Sequence, residues 1–163
     1  MFERREGEIV LADDPANLPP DAHVVFIGRI RSPWAVREEC PKNMRQAREK
    51  GGEAVIHIDE PYRPGLVGLA GVTHLIVLAW LDRAPRNLIV QKPRHAETAK
   101  GVFAMRSPIR PNPVGLHIAR VISFDIDEGR VVLDAIDVLD GTPVIDLKPY
   151  IPQVDAFAGA EFG

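Results

Sequence analysis

The segment GVFAMRSPIRPNPVG (residues 101–115) sets two guanidinium groups, Arg106 and Arg110, four residues apart around three prolines. Proline locks φ and removes backbone donors, so this loop is stiff. A stiff loop lowers the ordering cost of clamping a carboxylate or phosphate, and Ser107 and Asn112 add neutral hydrogen-bonding groups beside the two cations. A second segment, IDVLDGTPVIDLKPY (residues 136–150), joins the turn Asp140-Gly141-Thr142-Pro143 to the carboxylates of Asp137, Asp140 and Asp146. A carboxylate beside free backbone groups at a turn suits an amino group, a ribose or a ligand cation, and it equally serves to cap its own turn.

Other signatures are missing. The chain has no GxxxxGK[ST] phosphate loop, no GxGxxG, no HExxH and no GxSxG. His57, His74, His95 and His117 stand apart from one another, so no metal site is expected. Cys40 is the only cysteine, which excludes an internal disulfide and a Cys-based zinc site and suits a reducing compartment. Trp34 and Trp80 could stack on a base, although an isolated Trp in a β segment more often belongs to a core.

These residues must be positioned by short elements. Fifteen prolines and thirteen glycines in 163 residues, with 45% hydrophobic residues, fit one soluble all-β domain, 1–163, most simply a closed or nearly closed single-sheet barrel. Strands are predicted at His23–Ile30, Ala54–Ile58, Val72–Leu81, Asn87–Gln91, Gly101–Met105, Val114–Phe124 and Arg130–Ile136. THLIVLAWL is apolar throughout and predicts a central strand buried on both faces. Pro41–Lys50 is the exception, with good helix formers, a proline suited to a first turn and Gly51-Gly52 as a stop, and predicts one short exposed helix. Asp127–Arg130 predicts a hairpin turn. No apolar run is long enough to cross a bilayer, and a cytoplasmic protein without membrane contact is expected.

The net charge of −3 argues against a uniformly basic nucleic-acid coat, but it averages −4 over residues 1–22, +8 over 23–120 and −7 over 121–163. Seven basic residues (Arg83, Arg86, Lys92, Arg94, Lys100, Arg106 and Arg110) face one acid, Glu97, between positions 83 and 110. That block marks either a solvated basic face or a polyanion site.

GVFAMRSPIRPNPVGL and DVLDGTPVIDLKPYIP, preceded by IGRIRSPW and GVTHLIVLAWLDR, resemble the TsaA-like family, whose characterised function is tRNA methyltransfer of the TrmO type. The resemblance runs from about residue 25 to 154. It implies a β-barrel distinct from the Rossmann-type methyltransferases, S-adenosyl-L-methionine as cofactor, a homodimer, and N6-methylation of threonylcarbamoyl-adenosine at position 37 in the tRNA anticodon loop. It implies a cofactor pocket from Pro41, Lys42 and Asn43, from Asp82 and Arg83, from Arg106, and from Asp137, Val138, Leu139 and Asp140. Asp82-Arg83 stands where the family often has His-Gln, Pro-Lys-Asn where it often has Pro-Arg-Gln, and Met105 where threonine is common.

Methyl transfer from a sulfonium is an in-line displacement that needs positioning and no covalent nucleophile. The acceptor nitrogen is weakened by its carbamoyl substituent, so a proton acceptor helps, with Asp137 and Asp140 as the candidates ahead of Asp82. Arg110, Asn112 and Lys148 are candidates for substrate contact. Lys42, Arg45, Arg48 and Lys50, with the 83–110 block, are candidates for anticodon-loop phosphates. Two other classes fit the residues: a methyltransferase acting on a small molecule, and a non-catalytic RNA-binding barrel.

Overall fold

The computed structural model describes residues 4–93 and 96–161, so Arg94 and His95 lie outside the described residues. In chain order the elements are β1 (Ile9–Val10), β2 (Gly28–Arg31), α1 (Met44–Lys50), β3 (Ala54–Ile58), β4 (His74–Trp80), β5 (Leu88–Gln91), β6 (Lys100–Gly101), β7 (Val114–Asp125), β8 (Arg130–Leu133), β9 (Pro143–Pro149) and α2 (Pro152–Asp155). Two compact units divide the chain, one from residues 25–79 and 116–163, the other from 1–24 and 80–115.

The larger unit carries a closed antiparallel barrel in the order β2-β3-β8-β7-β4-β9. Closure removes sheet edges, as the punctuated all-β sequence predicts. Inward positions hold Ile30, Ile56, Leu75, Val77, Val131, Leu133 and Val144, all essentially without solvent contact. Each such side chain contributes roughly 1.5–3 kcal/mol by burial, well above the 0–1 kcal/mol of an exposed ion pair, so these residues hold the barrel. Gly28 is required where β2 crosses β3, because a Cβ there would stand 2.1 Å from the His57 carbonyl oxygen. Gly129 closes the β7–β8 hairpin at φ +65°, a conformation glycine adopts without strain.

Several expectations change. β4 alternates buried and half-buried residues and is not buried on both faces, because a closed barrel offers each strand one interior side. The strand predicted at His23–Ile30 begins only at Gly28, with Val24 and Val25 more than half exposed, since pairing to β3 and β9 starts at Gly28. The strand predicted at Gly101–Met105 ends at Gly101 and turns into a 3₁₀ segment, Val102–Ala104, that buries Val102 and leaves Phe103 exposed. β9 was not predicted, because TPVIDLKP reads as turn and charge. Its prolines stand at the two strand ends, where a missing donor costs least, and Pro143 pairs with Arg29 and Pro149 with Leu75. A second short helix, α2, joins the predicted one.

The predicted helix forms, but Asn43 caps it and Pro41 lies ahead of it. The Asn43 carboxamide accepts the Gln46 N–H at 2.9 Å, and Gln46 Oε1 accepts the Lys42 N–H at 3.0 Å, a reciprocal arrangement like a capping box. Gly51 at φ 71° ends it by donating to Ala47 and Arg48.

The smaller unit carries the sheet β1-β5-β6. Glu8 anchors it: the buried carboxylate accepts the backbone N–H groups of Arg5 and Lys92, each at 2.9 Å. Burial pushes this carboxyl up, but the two backbone donors and the charges of Arg5 and Arg4 outweigh it, and the net shift is downward.

Candidate functional site

On the barrel unit the two recognisable segments meet. Residues 30–34 (IRSPW) are zipped to residues 136–142 by backbone and side-chain hydrogen bonds. Ile30 donates to Thr142 O and accepts from Gly141 N, while Asp140 N donates to Trp34 O at 2.8 Å. Ser32 Oγ donates to Val138 O at 2.7 Å, and Trp34 Nε1 donates to Ile136 O at 2.7 Å. Leu139 O accepts the Thr142 hydroxyl at 2.6 Å. The Asp137–Asp140 turn is therefore held by main-chain contacts from a distant part of the sequence. Such a loop is rigid.

The two candidate carboxylates differ. Asp140 Oδ1 accepts the Ser32 N–H at 3.1 Å, and its Oδ2 pairs with Arg31 at 3.3 Å. Asp137 Oδ1 lies 2.6 Å from His117 Nδ1, which donates to it because an ionised carboxylate only accepts. No described residue donates to Asp137 Oδ2. The Asp137 side chain keeps 13% of its surface exposed. Beside it, burial first and then the Asp137 charge push the Cys40 thiol up to about 11, with Lys50 acting in the opposite direction. Lys42 is exposed next to the buried Pro41 that follows Cys40.

The helix cations divide into two groups. Arg48 donates to Asp134 at 3.3 Å and to Ile118 O at 2.6 Å, and Lys50 donates to Glu39 O at 2.7 Å while lying 5.3 Å from the Trp34 ring centroid. These two staple α1 to its own unit. Arg45 pairs with Glu49 at 3.7 Å on the exposed face. Lys148, expected at the substrate, pairs with Asp146 at 2.8 Å on β9.

On the smaller unit the proline-rich loop is braced from several sides. Arg86 Nε donates to Pro111 O at 2.6 Å, its Nη2 reaches Asn112 Oδ1 at 3.3 Å, and its guanidinium lies 5.5 Å from the Trp80 ring centroid. Ser107 donates to Gln91 Oε1 at 2.7 Å, and Gln91 Nε2 donates to Ile109 O. Leu81 N donates to Pro113 O at 2.8 Å. Arg110 donates inward to Met105 O and Ser107 O, at 3.3 and 3.4 Å. Two residues expected at the substrate, Arg110 and Asn112, thus hold the loop's own shape. Arg106, Asp82 and Arg83 are exposed.

Neither of two clefts on the barrel unit contains a residue expected in the cofactor pocket: one is lined by Val72, Thr73, Arg120 and Phe124, the other by Tyr62, Leu66, Leu75 and Pro149 among others. Among the described residues no group of three or more His, Cys, Asp or Glu could hold a metal ion, and no helix is long and apolar enough to cross a membrane. Sequence reasoning passed over His117, Ser32, Arg86 and Gln91. Only His117 left a signal, since the alternation of HIARVIS puts it on the side of β7 that Ala119 buries.

The tRNA-methyltransferase O N-terminal domain family matches residues 29–156. An S-adenosyl-L-methionine-binding protein of Archaeoglobus fulgidus is 36% identical over 79% of this chain and 89% of its own length. The tRNA (adenine(37)-N6)-methyltransferase of Escherichia coli is 32% identical over 82% of this chain and 60% of its own length. The crystal structure of TrmO from Pseudomonas aeruginosa superposes with a TM-score of 0.71 at 33% identity, covering 88% of this chain and 62% of that one. The chain therefore spans about three fifths of the length of these two longer relatives.

Proposed function

Because the chain belongs to the tRNA-methyltransferase O N-terminal domain family, we propose that it is an S-adenosyl-L-methionine-dependent methyltransferase acting on N6 of adenine 37 in the tRNA anticodon loop. The acceptor is threonylcarbamoyl-adenosine, the chain works as a homodimer, and the reaction is cytoplasmic. The observation that carries the reading is Asp137 Oδ2, an oxygen on a rigid loop that no described donor occupies. An anionic oxygen of this kind suits either the ammonium group of the cofactor or the proton on the acceptor nitrogen.

The cofactor supplies an electrophilic methyl group on a sulfonium. The chain's own residues then have two tasks, to hold the acceptor nitrogen in line with that methyl group and to accept its proton. Asp137 takes the proton on Oδ2. Asp140, with both oxygens engaged by Ser32 and Arg31, fixes the loop. Val138 and Leu139 contribute backbone groups, and Pro41, Lys42 and Asn43 flank the cofactor, with Asn43 keeping its carboxamide on the helix cap. Arg106 pairs with a carboxylate, that of the cofactor's methionine or of the threonyl group, and Asp82 and Arg83 belong to the same cofactor-binding set.

Nucleoside mass spectrometry of tRNA from cells with and without the gene tests the reading. Loss of the methylated threonylcarbamoyl nucleoside is expected; an unchanged level overturns the tRNA assignment. Calorimetry with S-adenosyl-L-methionine is the second arm, and absence of binding at millimolar cofactor overturns every methyltransferase reading. A small-molecule acceptor is the second reading, favoured by the engagement of Arg48 and Lys50 within the barrel unit. It takes over if the cofactor binds and tRNA is unmodified.

A further inference from the structure

The reading above leaves one buried titratable side chain unused. His117 sits at an inward position of β7, 6% exposed, and its ring makes a single directional contact. Nδ1 donates to Asp137 Oδ1 at 2.6 Å, a length typical of a charge-assisted bond. Nε2 is buried with no hydrogen-bond partner. A carboxylate partner calls for a proton on Nδ1, and Nε2 is then the ring position left unmatched.

A residue needed only to fill the barrel would be apolar, because an aliphatic side chain of similar volume leaves no orphan nitrogen. The imidazole is therefore explained by its one bond. A single N–H on Oδ1 opposes rotation about the Cβ–Cγ bond of Asp137 and leaves Oδ2 in one place. We propose that His117 is a positioning residue: through Nδ1–H it orients Asp137, so that Oδ2 faces the group that binds. This rests on the reading of Asp137 given above.

The test uses the full chain with S-adenosyl-L-methionine and tRNA bearing threonylcarbamoyl-adenosine. Asn places an amide N–H near the position of Nδ1, and Gln places one near Nε2. His117→Asn should keep kcat within about threefold of the parent, whereas His117→Gln should lower it roughly 10- to 100-fold, the range in which partners of site residues act. KM for the cofactor should change by less than about twofold in both, marking a loss confined to the reacting state. Equal loss in both variants, or full activity of His117→Gln, overturns the proposal.

Asp137→Asn separates the two layers. If it retains full activity, the role of Asp137 is wrong and the role of His117 falls with it; if it is inactive while both His117 variants are unaffected, only the His117 proposal fails. Should the variants not fold, ¹⁵N NMR of histidine-labelled parent protein decides. A proton on Nδ1 of His117, shifted strongly downfield, is expected. A proton on Nε2 instead overturns the proposal.

Discussion

Arg86 illustrates how a residue's type and its job can diverge. In the sequence it is one of seven cations in a basic block, outside the proline-rich motif that singles out Arg106. In the folded unit it carries the Pro111 carbonyl, the Asn112 side chain and a cation–π contact to Trp80. Arg86→Ala should therefore cost about 2 kcal/mol of stability, one charge-assisted hydrogen bond plus one cation–π contact, and lower the melting temperature by about 4–8 °C in calorimetry. Arg106→Ala should weaken binding of S-adenosyl-L-methionine, measured by calorimetry, far more than Arg86→Ala does. Equal weakening in both would mean that Arg106 does not belong to the site. Cys40 gives a second prediction at this scale. With its thiol raised from 9.0 to about 11, the thiolate fraction at neutral pH is about 100-fold below that of an unperturbed cysteine. Alkylation by iodoacetamide should be slower than that of a model thiol by about that factor, and Asp137→Asn should speed it up by removing a neighbouring negative charge. The carboxylates of the site were legible as residues, because DGTP announces a turn. Their partners were not, since Ser32 and Trp34 lie about a hundred positions away and contact the loop mainly through its backbone, which leaves no mark on side-chain pattern.

At the level of elements, α1 shows what sequence signals do well. Its stop at Gly51 and its basic residues follow from composition, while its start differs from expectation, at Met44 behind an Asn43 cap instead of at Pro41. Removing the cap with Asn43→Ala should cost about 1 kcal/mol. Lys42 and Arg45 stand on the exposed side of this segment, Arg45 with Glu49 beside it, and are its first candidates for phosphates. Replacing either with Ala should reduce the salt dependence of tRNA binding by about one unit of slope, measured by filter binding across a salt series, while Arg48→Ala should change stability more than slope. Ala54–Ile58 was read to the residue, since an alternating apolar run with a clear stop has one interpretation. β9 was not, because its two prolines and two charges outweigh its apolar residues in any local reading. What makes it a strand is the pair of partners waiting on either side, and partners are a property of topology. Gly28→Ala tests that junction. Its Cβ would collide with the His57 carbonyl at 2.1 Å, and the barrel should lose roughly 3 kcal/mol or more.

Across the whole molecule, the charge partition seen along the chain is partly consumed in folding, as acidic residues of the C-terminal third engage basic residues of the middle block: Asp134 with Arg48 and Asp140 with Arg31. The smaller unit has its own acid sensitivity. Glu8 has its carboxyl below the ordinary 4.5, so the unfolded chain takes up its proton first as pH falls. Its contribution is fully present above pH 4.5 and is lost as pH drops through the folded value. Thermal melts should show a stability decline below pH 4.5 that Glu8→Gln makes shallower, while lowering stability at neutral pH. The barrel itself has a different vulnerability, one of order in time. Its seam is β9, which joins β2 near one end of the unit to β4, with Gly28 opposite Val144. The loop bearing Asp137 is the stretch of chain that leads directly into that seam. Closure must await a contact between residues far apart in sequence, a step that is slow because loop entropy is lost before the contact forms. Because β2 pairs with β9 through Gly28 and Arg29 and grips the loop through Ile30, Ser32 and Trp34, a substitution that loosens the seam is expected to loosen the Asp137 loop with it.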